Sequence, residues 1–422
     1  MKPLKQRLRE LGQDIKIAIT GIGSIGKGLV FQSHITPGIQ PVGIADIILE
    51  RAENCAKWLN LNYRIVKNLN DLNDAIRSKK VAVTDNGELL ASTDLIDVYV
   101  ESSNAPFEGA KHAEMALRHG HHVVMMNYET DLLYGPYLLK KANEKEVVYT
   151  CADGDQPTVI KGLVDEIEAW GFDLVMGGNM KGFLDRYTDP IKIAPEADKR
   201  KLDHKMCSSY TDGTKLCVEM AVLANALNLR TPIPGMYGHR IKSVHEVFDV
   251  YNFEELYKNK QPVVDYILGA EPRGGVFVIG YTEEKFQQWT LDWLPPNMGP
   301  GPFYLFHRPY QLAHIEAMPC IAEAYLDKTA RLQPTYGMKT NVFCYAKKDL
   351  KAGEVLDGMG GFASYGLIEN LQDQKEVGVP ICLANNIKVQ RDIKKDERIN
   401  MKDVVIDPNE LSFSLYFEAL KI

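Results

Sequence analysis

A chain of 422 residues is too long for one small module and suits two or three domains. With 45% hydrophobic and 25% charged residues it has the make-up of an ordinary folded protein, which excludes wholesale disorder. Lys and Arg total 49 against 56 Asp and Glu, a net charge of −7, so neither nucleic acid nor an anionic membrane is expected as the main partner. The opening stretch MKPLKQRLRELGQDIKIAITGIG carries charge as far as Lys16 and does not read as a signal peptide. No run approaches the ~18 uncharged apolar residues of a membrane span. The seven cysteines are scattered and include no CxxC pair, which supports neither a disulfide framework nor a cysteine zinc site. The expectation is a cytoplasmic protein.

Residues 1–155 alternate strand-like and helix-like segments, the pattern of an α/β domain with a parallel sheet. IKIAIT ends at Gly21 and a helix pattern starts near Ser24; PVGIAD ends at Asp46 and ERAENCAKWL (50–59) returns to helical spacing. DLIDVYVES (94–102), HHVVMMN (121–127) and VVYTCAD (147–153) read as buried strands, with GAKHAEMALRHG (109–120) as a helix between the first two. Over 156–338 helices such as 158–171 mix with strands at 172–180 and 274–281, and the Pro/Gly-rich passage 294–310 reads as an ordered loop before a helix at 312–326. The tail, 339–422, reads as a small β-rich module in which AKKDLKAGEVL (346–356) and VQRDIKKDERI (389–399) form a half-repeat.

Gly21-Ile22-Gly23-Ser24-Ile25-Gly26 is a GxGxxG between a strand and a helix. The first glycine permits a tight turn, the second lets backbone approach a pyrophosphate, and the third lets helix and strand pack closely. The free N–H groups of the helix start then hold the phosphates. Asp46 lies at the next strand end, where a ribose-binding carboxylate belongs, so Gly21, Gly23, Ser24, Ile25, Gly26 and Asp46 are expected to bind a nicotinamide dinucleotide. Asp46 favours NAD over NADP, because a carboxylate repels a 2′-phosphate; Arg51 and Lys57 read as solvated helix charges. Glu101, Ser102 and Ser103, and then Asn127, Glu129 and Asp131, follow strand ends, where ligands of open α/β sheets gather; each reads equally well as a loop-capping polar residue. His121 and His122 begin their strand and read as structural.

The segment MCSSYTDGTKLCVEMAVLANALNL (206–229) contains a helix, from Thr214 to Leu229, apolar almost all round and therefore buried. Asp212, Lys215 and Glu219 fall at steps of three and four, as one charged face. Burying such groups is costly unless they are paired or used, so they are the leading catalytic candidates, with a buried salt bridge as the alternative. Lys181 follows a glycine-lined strand, Asp203 and His204 precede the helix, and Arg240, Arg273, His307 and Arg308 are the cations that a phosphate requires. Asp203, Asp212 and Glu219 also form a possible carboxylate set for a divalent metal, without diagnostic spacing.

Taken together, ITGIGSIGKGLV, VMMNYETD, GDQP (154–157), GGNMKGFLDRY, TDGTK and GPGPFYLFHRPYQLA resemble the homoserine-dehydrogenase-like oxidoreductases that end in an SAF (antifreeze-like) domain, and the two tail phrases resemble the halves of that module. The resemblance spans nearly the whole chain and includes the deoxyxylulose-5-phosphate reductoisomerase-like enzymes. It implies a Rossmann domain (1–155), a central α+β catalytic and dimerisation domain (156–338, with helix 312–326 packing back on the Rossmann domain) and an SAF-like tail (339–422), in a homodimer. It further implies NADPH as cofactor, Gln156 of the GDQP stretch among the cofactor contacts, and a small phosphorylated substrate held by Asp203, Arg240, His307 and Arg308. Asn127-Tyr128-Glu129 departs from homoserine dehydrogenases proper, which have a lysine there. The reading is reduction of a phosphorylated hydroxy-carbonyl compound, most concretely reductoisomerisation of 1-deoxy-D-xylulose 5-phosphate, with Lys181, Asp212, Lys215 and Glu219 at the reaction centre. The alternatives are a simple alcohol or hydroxy-acid dehydrogenase and a nucleotide-binding sensor without turnover.

Overall fold

The computed structural model describes residues 2–293, 297–407 and 409–422. They form two compact units: the residues up to Thr158 with Leu312–Pro334 and Ile422, and Val159–Gln311 with Thr335–Lys421. No helix among the described residues is long and apolar enough to cross a membrane.

In the first unit, β-branched runs become the strands β1 (Ile15–Thr20), β2 (Ile39–Ala45), β3 (Tyr63–Ile65), β4 (Val81–Thr84), β5 (Val98–Glu101), β6 (His122–Met125) and β7 (Tyr149–Cys151). They make one sheet in the order β3-β4-β2-β1-β5-β6-β7, with every pairing parallel. Outward from β1 lie β2, β4 and then β3 at the edge; outward from β5 lie β6 and β7. The reversal falls between β1 and β5, and their carboxyl ends bound the crevice where such sheets take ligands. Ile15, Ile17 and Ile19 of β1 are fully buried and pack with Leu29 and Val30 of the helix Ser24–Ile35, and with Met318 and Ile321. The last two belong to the helix Ala317–Leu326, which a 3-10 turn at Ala313–Ile315 precedes.

The second unit holds a five-stranded sheet of β8 (Asp173–Lys181), β9 (His239–Arg240), β10 (Val263–Leu268), β11 (Val276–Tyr281) and β12 (Phe303–Arg308), in the order β12-β11-β8-β10-β9. Strands β8, β9 and β10 run parallel; β11 is antiparallel to both β8 and β12. β12 corrects the expectation of a loop over 294–310: FYLFHR is apolar enough to pair with β11 along its whole length, which outweighs the prolines and glycines before it. Residues 294–296 of that passage lie outside the described residues.

The tail shares this second unit. Strands β13 (Thr340–Ala346) and β15 (Ser364–Asn370) form an antiparallel pair, and β14 (Val355–Asp357), β16 (Asn385–Val389) and β17 (Val404–Val405) a small separate sheet. The two similar phrases meet and exchange equivalent contacts. Leu350 and Ile393 trade backbone hydrogen bonds of 2.8 and 2.9 Å. The Lys395 N–H donates to Asp349 at 2.9 Å, and the Ala352 N–H to Asp392 at 3.0 Å. Lys394 pairs with Asp349 at 3.2 Å and Lys351 with Asp392 at 2.7 Å. The Asp396 N–H donates to the Ala346 carbonyl, and the Gly353 N–H to that of Val389, both at 2.8 Å. A local two-fold relates the halves.

The helix Thr214–Leu227 is buried over nearly its whole length because both sides are covered. Thr214 accepts the Gly366 N–H of β15 at 2.8 Å, and Asn225 accepts the Thr340 N–H of β13 at 2.8 Å. On another side Leu223 lies against Gly177 of β8, where an added Cβ would come within 3.0 Å of it. Apolar residues all round are what a helix between two sheets requires.

Asp131 lies in the first turn of the helix Tyr128–Glu144 and accepts the Tyr149 hydroxyl proton at 2.7 Å. Burial pushes its carboxyl up from an ordinary 3.8 to about 6. The folded protein therefore binds a proton there more tightly than the unfolded chain, and this group's contribution to stability falls as pH rises through that window. Relative to wild type, Asp131→Asn is expected to gain on the order of 2 kcal/mol between pH 4 and pH 8. Urea unfolding at both pH values checks this; a constant difference would contradict it.

Candidate functional site

The nucleotide site is built from backbone. Gly21 has φ +90°, and a Cβ there would lie 2.3 Å from the Ser103 nitrogen; a Cβ on Gly26 would lie 1.8 Å from the Gly21 carbonyl oxygen. Gly23 is different, since a Cβ there meets nothing within 4 Å. The first and third glycines thus serve the fold, and the second leaves open space beside the start of the helix at Ser24. Ile25 lies in the first turn of that helix, with free N–H groups at its start. Nothing in the geometry obstructs a pyrophosphate, and the loop fits a dinucleotide.

Asp46 is buried at 6% exposure, at the carboxyl end of β2. One carboxylate oxygen accepts the Ile22 N–H at 2.8 Å and the other the Ile48 N–H at 2.9 Å. It therefore clamps the glycine loop to the strand end, a task that the motif spacing alone does not reveal. Arg51, largely exposed, brings its guanidinium to 4.0 Å from the second oxygen. At the end of β5, the Ser102 hydroxyl contacts the carbonyls of Thr20 and Gly21 at 2.8 and 2.9 Å, and Glu101 accepts the Ser103 N–H at 2.9 Å. The other Glu101 oxygen is 2.9 Å from His112 Nδ1, a partner that the sequence reading missed. Asn127 caps a helix by accepting the Thr130 N–H at 3.1 Å, and Glu129 is buried in the first turn of that helix. Gln156 begins the helix Gln156–Ala169, and its side-chain oxygen is buried with no hydrogen-bond partner. His121 and His122 sit at the amino edge, tied to the Thr93 carbonyl and the Val148 N–H.

In the second unit the expected face of Asp212, Lys215 and Glu219 is divided. Asp212 precedes the helix, separated from it by Gly213 at φ +86°. Its carboxylate accepts the Thr214 N–H at 2.8 Å and pairs at 2.8 Å with Lys347 of the tail. Lys347 is itself buried and donates to the carbonyls of Thr188 and Gly361 at 2.7 and 2.8 Å, so its contact with Asp212 is an ion pair without hydrogen-bond alignment. Burial raises the Asp212 pKa, and the nearby lysine works against that rise. Nothing in the sequence near Asp212 signals a partner so far along the chain. Lys215 and Glu219 are both buried in the helix, at i−8 and i−4 from the sheet-facing Leu223.

Asp203 is an exposed N-cap that accepts the Met206 N–H at 2.8 Å, which separates it from Asp212 and Glu219 as a ligand set. Among the described residues no three His, Cys, Asp or Glu side chains are grouped to hold a metal ion.

The cations gather at one end of the sheet. Lys181 ends β8, Arg240 ends β9 and Arg308 ends β12, three strands that point the same way. Register also fixes the face. Lys181 pairs with Leu268, which pairs with Arg240; Arg308 pairs with Val276, which pairs with Asn179. All share the Gly177 face, the one that meets the helix. His307, next to Arg308 on the strand, points to the opposite face, where its ring meets that of His245 at 5.6 Å. This separates His307 from the other expected phosphate contacts. Arg273, in the loop before β11, pairs with Glu271 at 2.9 Å and is exposed. Arg186, which the sequence reading passed over, lies 5.3 Å from the Tyr365 ring centroid. A cleft of about 480 Å³ lies at the amino end of β12, lined by Phe248–Glu254 and Pro300–Phe303; none of the expected site residues lines it.

A Rossmann unit with an intact dinucleotide loop, carried with a second α/β unit, fits an NAD(P)-dependent oxidoreductase. Residues 154–317 match the family model described as oxidoreductase DRL, catalytic domain, which assigns that segment to oxidoreductase chemistry. No curated protein sequence matches the chain. Among solved structures, it is similar to 1-deoxy-D-xylulose 5-phosphate reductoisomerase from Zymomonas mobilis in complex with NADPH, at 14% identity and TM-score 0.38, over 74% of this chain and 81% of that one. It is similar to the UDP-N-acetylglucosamine 3-dehydrogenase GnnA from Acidithiobacillus ferrooxidans at 12% identity and TM-score 0.39, over 76% and 92%. Biliverdin reductase from Synechocystis sp. PCC 6803 aligns at 12% identity and TM-score 0.28 over 41% of this chain, which spans 49% of that one. Likenesses this distant carry no argument about substrate.

Two expectations follow. Gly23→Val is expected to abolish NAD(P)H binding, measured by fluorescence, with little change in Tm, whereas Gly26→Ala lowers Tm by forcing a Cβ onto the Gly21 carbonyl. Lys347→Met is expected to cost about 3–5 kcal/mol in urea unfolding by stranding the buried Asp212 carboxylate. A loss below about 1 kcal/mol would remove the pair from any structural role.

Proposed function

We propose that this oxidoreductase reduces a small phosphorylated hydroxy-carbonyl compound, most concretely 1-deoxy-D-xylulose 5-phosphate to 2-C-methyl-D-erythritol 4-phosphate. The observation that carries the reading is that Lys181, Arg240 and Arg308 stand at the carboxyl ends of three strands on one sheet face, the face met by the helix that bears Lys215 and Glu219. Arg240 and Arg308 offer charge to a phosphate; Lys181 and Lys215 offer it to oxygens that become anionic as a carbon–carbon bond migrates. Glu219 orients a substrate hydroxyl. The nicotinamide cofactor, when bound, supplies the hydride that reduces the aldehyde formed by that migration. The balance is one NAD(P)H and one proton consumed per product.

In this reading the first unit keeps the cofactor aligned through the Asp46 clamp and the Ser102 and Glu101 hydrogen bonds at the strand ends. Asp46 has both oxygens engaged by backbone, and the exposed Arg51 guanidinium beside it suits a 2′-phosphate, which supports NADPH as the better substrate over NADH. Gln156, with an unsatisfied buried oxygen, suits a contact to the cofactor amide. The reciprocal contacts of the two tail phrases support an SAF-like reading of that module. A second reading, simple dehydrogenation without rearrangement, gains from Asp212. Its engagement by Lys347 leaves one carboxylate fewer to hold vicinal hydroxyls.

The test is NAD(P)H oxidation by the purified chain with a panel of sugar phosphates and hydroxy acids, run with both cofactors. Turnover with 1-deoxy-D-xylulose 5-phosphate and a branched-chain product support the leading reading. Turnover with unrearranged alcohols supports the second, and cofactor binding without turnover on any substrate supports a sensor. In the active pair, Lys215→Met is expected to lower kcat by on the order of 10²–10³. Full activity per folded molecule with a lowered Tm would instead return Lys215 to a structural role.

A further inference from the structure

Asn179 lies near the end of β8, on the helix-facing side of the sheet, one strand step before Lys181 and cross-strand from the residue that pairs with Arg308. It is 2% exposed, and its amide nitrogen is buried without any hydrogen-bond partner. A buried amide donor left unmade is expensive, and native proteins rarely keep one without a use. The side chains beside it on the sheet offer it no acceptor at hydrogen-bond distance. Its neighbour two residues back is Gly177, which has no side chain to offer, and its cross-strand partners on that face are Val276 and Tyr266. Cations stand at the open end of the same face; none of them accepts a hydrogen bond.

We propose that Asn179 positions the substrate by donating its amide hydrogen to a carbonyl or hydroxyl oxygen of a small anionic molecule. The anionic group of that molecule rests on the Arg240, Lys181 and Arg308 end of the sheet. The assignment rests on the phosphorylated-substrate reading above and deepens it. The site takes a compound with an oxygen a few bonds from its phosphate, and the amide discriminates it from a bare anion. An amide donor is neutral, so it orients the oxygen in ground state and transition state alike, and its loss should appear in affinity and KM more than in kcat.

The experiment measures binding of 1-deoxy-D-xylulose 5-phosphate and of inorganic phosphate to the full chain by calorimetry, with NADPH present. Wild type is expected to bind the sugar phosphate at least tenfold more tightly than phosphate. Asn179→Leu, with the same heavy-atom branching and without the orphan donor, should fold with a Tm close to that of wild type. It should lose at least tenfold for the sugar phosphate and less than twofold for phosphate, with KM rising and kcat changing less than KM. Asn179→Gln, which keeps an amide on a longer arm, should recover part of the affinity if the leucine variant loses it. Arg240→Ala should weaken both ligands. Sugar-phosphate binding unchanged in Asn179→Leu would overturn the role of Asn179 while leaving the substrate reading in place. A wild type that binds the sugar phosphate no better than phosphate would defeat the substrate reading, and this assignment with it.

Discussion

The buried ion pair of Lys347 and Asp212 is the constraint on which the second unit depends. Three oxygens lie 2.7–2.8 Å from the ammonium, each from a different stretch of chain: Asp212, Thr188 and Gly361. One ammonium therefore joins the turn that opens the central helix, the loop that follows β8 and the loop between β14 and β15 of the tail. An isolated pair of this kind is weak evidence for net stability, because desolvation offsets most of the attraction. Its value lies in position: the contacts of one ammonium join segments that are far apart in the sequence. The Thr214–Leu227 helix is thereby held between β8 on one side and the β13–β15 pair on the other, and Lys215 and Glu219 inherit fixed positions from it.

The first unit reaches the same end by backbone. Two glycines are required by steric crowding, the third leaves open space beside the helix start, and a carboxylate ties the loop down through two N–H groups. Because Ser102 and Asp46 hold the loop from neighbouring strand ends, binding a dinucleotide does not have to order it first, and less of the binding energy is spent on organisation.

How legible this was depends on the range of the interaction. The glycine motif, the parallel strands and the buried helix all follow from local pattern, where period and turn chemistry suffice. Asp46 was recognised by position, yet its hydrogen bonds to Ile22 and Ile48 were not, since spacing says where a carboxylate sits and not what already occupies it. Asn127 reads from sequence equally as a site residue or a capping residue, and its side chain caps a helix. Asp212 looked like part of a helical face; the left-handed Gly213 breaks the helix first, and its partner lies far along the chain. Arg308 and His307 were grouped by adjacency, but alternation along β12 separates them. Asn179 carried no sequence signal, because an asparagine in a strand is conspicuous only once its neighbours are known to be silent.

The reciprocal contacts of the two tail phrases carry a further consequence. Asp349 and Asp392, Lys351 and Lys394, and Leu350 and Ile393 are chemically interchangeable across the local two-fold. Either half would therefore find the same donors and acceptors on the opposite half of another molecule. What keeps the pairing within one chain is effective concentration: the connection between the halves presents each to the other far more often than solution does. The Lys347 anchor adds to this by holding the first half in place. The closure of this module is governed by tether length and anchoring, and its own recognition chemistry does not distinguish self from neighbour.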